Sequence, residues 1–178
     1  MTENKINNEA VKNYFTKLQT DIINAVEIVD GKNFLVDSWQ RSEGGGGTTC
    51  ILENGNIFER AGIGFSNVIG SQLPKSATDA HPEIADSQWE ATGVSLVFHP
   101  KNPFIPTVHM NVRFFVAKKN NKYVWWFGGG MDLTPYYGFD EDAIHFHKTI
   151  QAALKPFGED LYPEFKKNCD KYFFLNHR

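Results

Sequence analysis

Two alternating segments, "VHMNVRFFVA" at 108–117 and "KYVWWF" at 122–127, are joined through nothing longer than "KKNNK". So short a link makes a hairpin, and a hairpin makes its strands antiparallel. A third segment, "TGVSLVFH" at 92–99, comes shortly before them. Earlier in the chain "NFLVDSW" reads as a strand, followed by four glycines at 44–47. "CILENGNIF" reads as a hairpin, since Asn54-Gly55 accepts the positive backbone angles of a tight two-residue turn. The polar stretch from Ser71 to Gln88, with two prolines, reads as a mostly irregular connection.

Helical patterns stand at both ends. Residues 8–29 carry Val11, Tyr14, Phe15, Leu18, Ile22, Val26 and Val29 at three- and four-residue spacing, with Asn7 or Asn8 as the cap and Gly31 past the end. After the strands come "DEDAIHFHKTIQAAL" and "PEFKKNCDKYFFLNH". Strands followed by helices, with hairpin links, place the chain in the α+β class: an antiparallel sheet flanked by helices. A length of 178 residues suits one domain, residues 1–178. The chain stops at Arg178 directly after an apolar helical run, so the sheet is short of covering material and the fold reads as incomplete.

Composition removes several classes of function. With 41% apolar and 22% charged residues the chain is a folding globule rather than a disordered one. A net charge of −3 gives no reason to expect nucleic acid or an anionic membrane as partner. The start, "MTENKINNEAVKNYF", has no apolar run after a basic segment, and no window approaches a membrane span. Cys50 and Cys169 make no disulfide framework. A cytoplasmic location is expected.

Strand alternation then sorts the polar residues. His109, Asn111 and Arg113 share one face of their strand, while Met110, Val112, Phe114 and Val116 take the core side. In the preceding strand Ser95, Val97 and His99 lie opposite Val94, Leu96 and Phe98. If the strands are neighbours, one sheet face carries Ser95, His99, His109, Asn111 and Arg113. That face meets either water or a ligand that needs protons and a positive charge. On the helix, His145 and His147 are about 200° apart, so they cannot both turn inward, and the apolar stripe selects His147. His177 ends another apolar stripe. Imidazoles from several elements suit a metal or acid–base chemistry, although no zinc spacing is present. A non-haem iron centre also needs a carboxylate beside the histidines, and none is evident. "WWFGGGMDLTP" lacks the Gly-Lys-Ser/Thr of a phosphate loop. Its glycines remove side chains where a strand ends, and Asp132 either serves a ligand there or caps a turn with Thr134.

Five stretches, "GGGGTTCILENGNIFERAGIGFSNVIG", "ATGVSLVFHPKNPFIPTVHMNVRFF", "WWFGGGMDLTPYYGF", "DEDAIHFHKTIQAALKPFGEDLYP" and "KYFFLNHR", together resemble the oxygen-dependent coproporphyrinogen III oxidases. The resemblance runs from about Ala10 to Arg178. It implies a flat antiparallel sheet between helices, a cytoplasmic homodimer and a place in haem biosynthesis. The implied reaction is oxidative decarboxylation of two propionates of coproporphyrinogen III to vinyls, giving protoporphyrinogen IX. Molecular oxygen is the co-substrate and no organic cofactor takes part. By the same resemblance Ser95, Asn111, Val112 and Arg113 contact substrate, His109 is a proton donor and Asp132 engages the pyrrole nitrogens. His99, His109, His147 and His177 match histidines proposed to hold a divalent metal such as manganese. Members of the family continue past "NHR" with further strands and helices that carry a second substrate-binding arginine and much of the dimer contact. The 178 residues alone are therefore expected to turn over feebly or not at all. The alternative is a truncated, non-catalytic homologue that binds a tetrapyrrole or a metal.

Overall fold

A computed structural model describes residues 6–71, 84, 87–119 and 122–176. Helix α1 (Asn8–Asp30) starts where Asn7 accepts a hydrogen bond from the Ala10 amide at 3.1 Å. It ends at Gly31, whose φ of 78° lets its N–H return to the Glu27 carbonyl. Its packed stripe is Phe15, Gln19, Val26 and Asp30, with Val11, Leu18 and Ile22 at the margins. Tyr14 and Val29, expected on that stripe, are exposed. Two polar side chains take the central places because each meets a fixed partner. Gln19 donates to the Thr48 and Ile63 carbonyls at 2.9 and 3.0 Å. Asp30 accepts from the Asn56, Ile57 and Phe58 amides at 2.9 Å each.

Six antiparallel strands follow in chain order across a single sheet: β1 (Leu35–Gln40), β2 (Gly45–Glu53), β3 (Phe58–Gly70), β4 (Gln88–Pro100), β5 (Thr107–Lys119) and β6 (Lys122–Thr134). Each strand neighbours only its predecessor and its successor, as hairpin links require. Helices α2 (Asp140–Leu154) and α3 (Leu161–Phe173) come last, joined through a short 3-10 turn at Lys155–Phe157. The α+β arrangement is the expected one. No described helix is long and apolar enough to cross a membrane.

Several boundaries differ from the sequence reading, each for a physical reason. The glycines at 45–47 lie inside β2, and those at 128–130 inside β6, which runs on to Thr134 rather than ending at them. In the β2–β3 link only Asn54 has a positive φ, and strand structure resumes at Phe58, so the link is longer than a two-residue turn. Gly55 is required there for another reason: a Cβ would lie 2.4 Å from the Asp30 carboxylate. Residues 59–70, not read as a strand, form most of β3. The Ser71–Gln88 connection lies largely outside the described residues, although Ile84 and Ser87 are buried and Gln88 already belongs to β4.

The core sits between α1 and one sheet face. Phe15 and Val26 meet Cys50, Leu52, Ala61, Ile63, Val94, Leu96, Phe114 and Val116 there. Full burial of a side chain such as Phe15 contributes about 2–3 kcal/mol. On the opposite face Phe115 and Ala117 are buried under Ile84, with Trp89 and Trp126 stacked against Phe115. Beyond that cluster the second face opens into a hollow.

Candidate active site

Residues paired across an antiparallel sheet share a face, so the register alone assembles the site. Ser95 is opposite Asn111, and Asn111 opposite Gly130. His109 lies between Val97 and Asp132, and Arg113 between Gly93 and Gly128. On the other flank Gly64 pairs with Ser95, Gly62 with Val97, and Arg60 with His99. All of these except Gly93 and Gly128 border one hollow of about 990 Å³, which α3 approaches through Asn168, Cys169, Tyr172 and Phe173. That volume lies at the upper end of small-molecule sites.

Nothing among the described residues requires its floor to be short of side chains. Gly62, Gly64 and Gly130 have no left-handed φ. A Cβ would meet nothing nearer than 3.8 Å at Gly62 and 3.9 Å at Gly64, and nothing within 4 Å at Gly130. Glycine inside a strand weakens it, and here neither backbone angle nor packing demands it. What the glycines keep is space above the sheet.

His109 and Asp132 meet at 2.7 Å, Nδ1 to Oδ1. An ionised carboxylate only accepts hydrogen bonds, so Nδ1 carries the proton and Nε2 is left for chemistry. Thr134 donates to the same Oδ1 at 3.3 Å, which anchors the carboxylate from its own strand. Asp132 is therefore a strand residue orienting a histidine, not a turn cap. His99 stands edge-on to His109, ring centres 6.4 Å apart, with its Nδ1 3.4 Å from the Thr107 hydroxyl. Arg113 makes no ion pair among the described residues, and its Nε lies 3.5 Å from where a Gly128 Cβ would stand. Two arginines and an oriented imidazole make this hollow suited to a carboxylate-bearing ligand.

Ser95, Asn111 and Arg113 all reach the hollow, together with His99, His109 and Asp132. Val112, taken with the substrate-contacting residues, turns to the core face, so only its backbone could serve a ligand on this side. His147 faces inward as its stripe predicts, but into a different space. With Tyr162 edge-on at 6.2 Å, it lines an apolar cavity of about 670 Å³ between β6 and the α2–α3 hairpin. His145 is exposed. His177 lies outside the described residues.

Of the four histidines matched to metal ligands, His99 and His109 border the hollow, His147 lines the other cavity and His177 is outside the described residues. No three His, Cys, Asp or Glu side chains converge among the described residues, and the His109 nitrogen nearest Asp132 is taken up by a hydrogen bond. The carboxylate that a non-haem iron site would require is present beside His109, contrary to the sequence reading, but it serves the histidine.

Arg60, Gly62 and Gly64 were missed because β3 was not recognised as a strand. The signal was there: Ala61, Ile63 and Phe65 alternate with Arg60, Gly62, Gly64 and Ser66. The sequence model of one family, described as coproporphyrinogen III oxidase, matches residues 10–178.

Proposed function

The chain belongs to the coproporphyrinogen III oxidase family, and from that premise we propose that it binds coproporphyrinogen III on the glycine floor and converts two of its propionates to vinyl groups, with molecular oxygen as acceptor. The observation that supports this most is the combination on one face: an arginine with no ion pair among the described residues, an oriented histidine, and Gly62, Gly64 and Gly130, whose Cβ positions meet no described atom nearer than 3.8 Å. A flexible four-pyrrole ring needs such a broad, low surface.

Each conversion takes one propionate, one oxygen molecule and one proton to a vinyl group, carbon dioxide and hydrogen peroxide. The C–COO⁻ bond breaks and a hydrogen leaves the neighbouring carbon, so two electrons pass from the ring system to oxygen. Arg113 holds the reacting propionate through paired N–H donors. Asp132 Oδ1 is engaged by His109 and Thr134, and its second oxygen takes a pyrrole N–H, which raises the electron density of that ring. His109 Nε2 moves the proton that oxygen reduction consumes. Ser95 and Asn111 position the ring edge.

Incubating the protein with coproporphyrinogen III in air and under argon tests the proposal. Protoporphyrin fluorescence after oxidation is expected only in air and only with Asp132 and His109 intact. A protein that binds coproporphyrin tightly yet forms no product is a tetrapyrrole carrier, which is the competing reading. Product formed equally under argon rules out oxygen as acceptor.

A further inference from the structure

Arg60 occupies the hollow through a departure from strand alternation. Phe58 pairs with Pro100 and Arg60 with His99, with a bulge between them at Glu59. In a regular strand Phe58 and Arg60 would share a face. The bulge separates them: Phe58 packs into the core against Phe98, ring centres 5.4 Å apart, while Arg60 turns to the opposite side beside His99. Bulges next to functional sites re-aim side chains in this way.

Among the described residues two cationic side chains other than histidine border the hollow, Arg60 and Arg113, at its opposite corners. Arg113 is level with Ser66 of β3 through Gly93, six residues along the strand from Arg60 and two strands away. That puts their Cα atoms roughly 22 Å apart, at about 3.3 Å per residue and 4.8 Å per strand. Both border the same hollow, and a span of that order is comparable with the spread of a macrocycle carrying propionate arms. Glu53 holds Arg60 at 2.7 Å, with side-chain exposures of 47% and 66%. An ion pair this exposed contributes about 0–1 kcal/mol. It orients Arg60 without being needed for the fold, and a guanidinium has five N–H groups to offer.

We propose that Arg60 is a second carboxylate-binding residue of the hollow, taking a propionate of the macrocycle remote from the one held by Arg113. The proposal rests on the macrocycle reading above. It makes Arg60 a positioning residue, selecting how the ring lies over the glycine floor.

Titration with coproporphyrin, the stable oxidised ligand, followed by its absorbance and by tryptophan quenching, tests the idea. Arg60→Gln is expected to raise Kd about tenfold, the loss of one charge-assisted contact. Its melting temperature should stay at the wild-type value. Arg60→Lys should recover part of the affinity, and Arg60→Gln with Arg113→Gln should show near-additive losses, since the two sites are far apart. Glu53→Gln, which frees the guanidinium, should bind as well as wild type or better. If Arg60→Gln binds within twofold of wild type while Arg113→Gln weakens binding, Arg60 is a surface ion pair only. If the wild-type protein binds no coproporphyrin, it is the macrocycle reading itself that fails.

Discussion

His109 and Asp132 act as a unit because the carboxylate fixes both the orientation and the protonated nitrogen of the ring. Asp132→Asn leaves a hydrogen-bonding group in place but releases the tautomer, so product formation in air should fall by about two to four orders of magnitude. Both side chains are two-fifths exposed, so thermal stability should hardly change. A second residue, Asp30, is structural: its carboxylate ties the end of α1 to the β2–β3 link through three amides. Burial pushes its carboxyl up, but those three bonds, with help from Lys101, outweigh it and hold it below its ordinary value of 3.8. Asp30→Ala should cost about 3 kcal/mol, since buried amides lose a charged acceptor. A carboxyl depressed on folding stabilises above its unfolded value, and that contribution disappears as pH falls through the folded value. Urea midpoints of wild type and Asp30→Asn should therefore differ at neutral pH and converge below about pH 4. The sequence identified His109 and Asp132 separately; the 2.7 Å bond between them depends on strand register, which no local pattern encodes.

Within the strands, neighbouring glycines serve opposite ends. A Cβ on Gly129 would lie 2.3 Å from the Asn111 carbonyl, whereas one on Gly130 would meet nothing within 4 Å. Gly129→Ala should lower the melting temperature, and Gly130→Ala should leave stability unchanged or raise it by the few tenths of a kcal/mol, up to about 1, that a side chain adds in a strand. Gly62→Val and Gly130→Val should keep the fold and lose coproporphyrin binding, as calorimetry and titration on the same samples would reveal. Binding unaffected by both would remove the reason given for the glycine floor. Strand identity was largely legible from alternation in β4 and β5. The alternation is fainter in β3 and in the second half of β6, where glycine occupies the ligand-facing positions and so weakens the pattern that strand recognition relies on.

Across the molecule, stability is uneven. The sheet face beneath α1 holds most of the buried residues, while neither α2 nor α3 buries a single one. Local opening costs little where few apolar contacts resist it. Amide hydrogens of residues 140–173 should exchange well before those of β3, β4 and β5, and bound coproporphyrin should slow exchange at the end of α3 that borders the hollow. Equal protection in α2 and β4 would contradict the uneven picture.

Alternation, helical spacing and short links were enough to settle the α+β class, the antiparallel pairing and the faces within each strand, Ser95 with His99 and His109 with Asn111 and Arg113, because each is a property of neighbours along the chain. Pairing across strands decided the rest. It put Asp132 against His109, turned Arg60 to the hollow at a bulge and cleared a floor of glycines. Those outcomes depend on which residues from distant strands fall into register, a choice made by packing against α1 and invisible to any single segment.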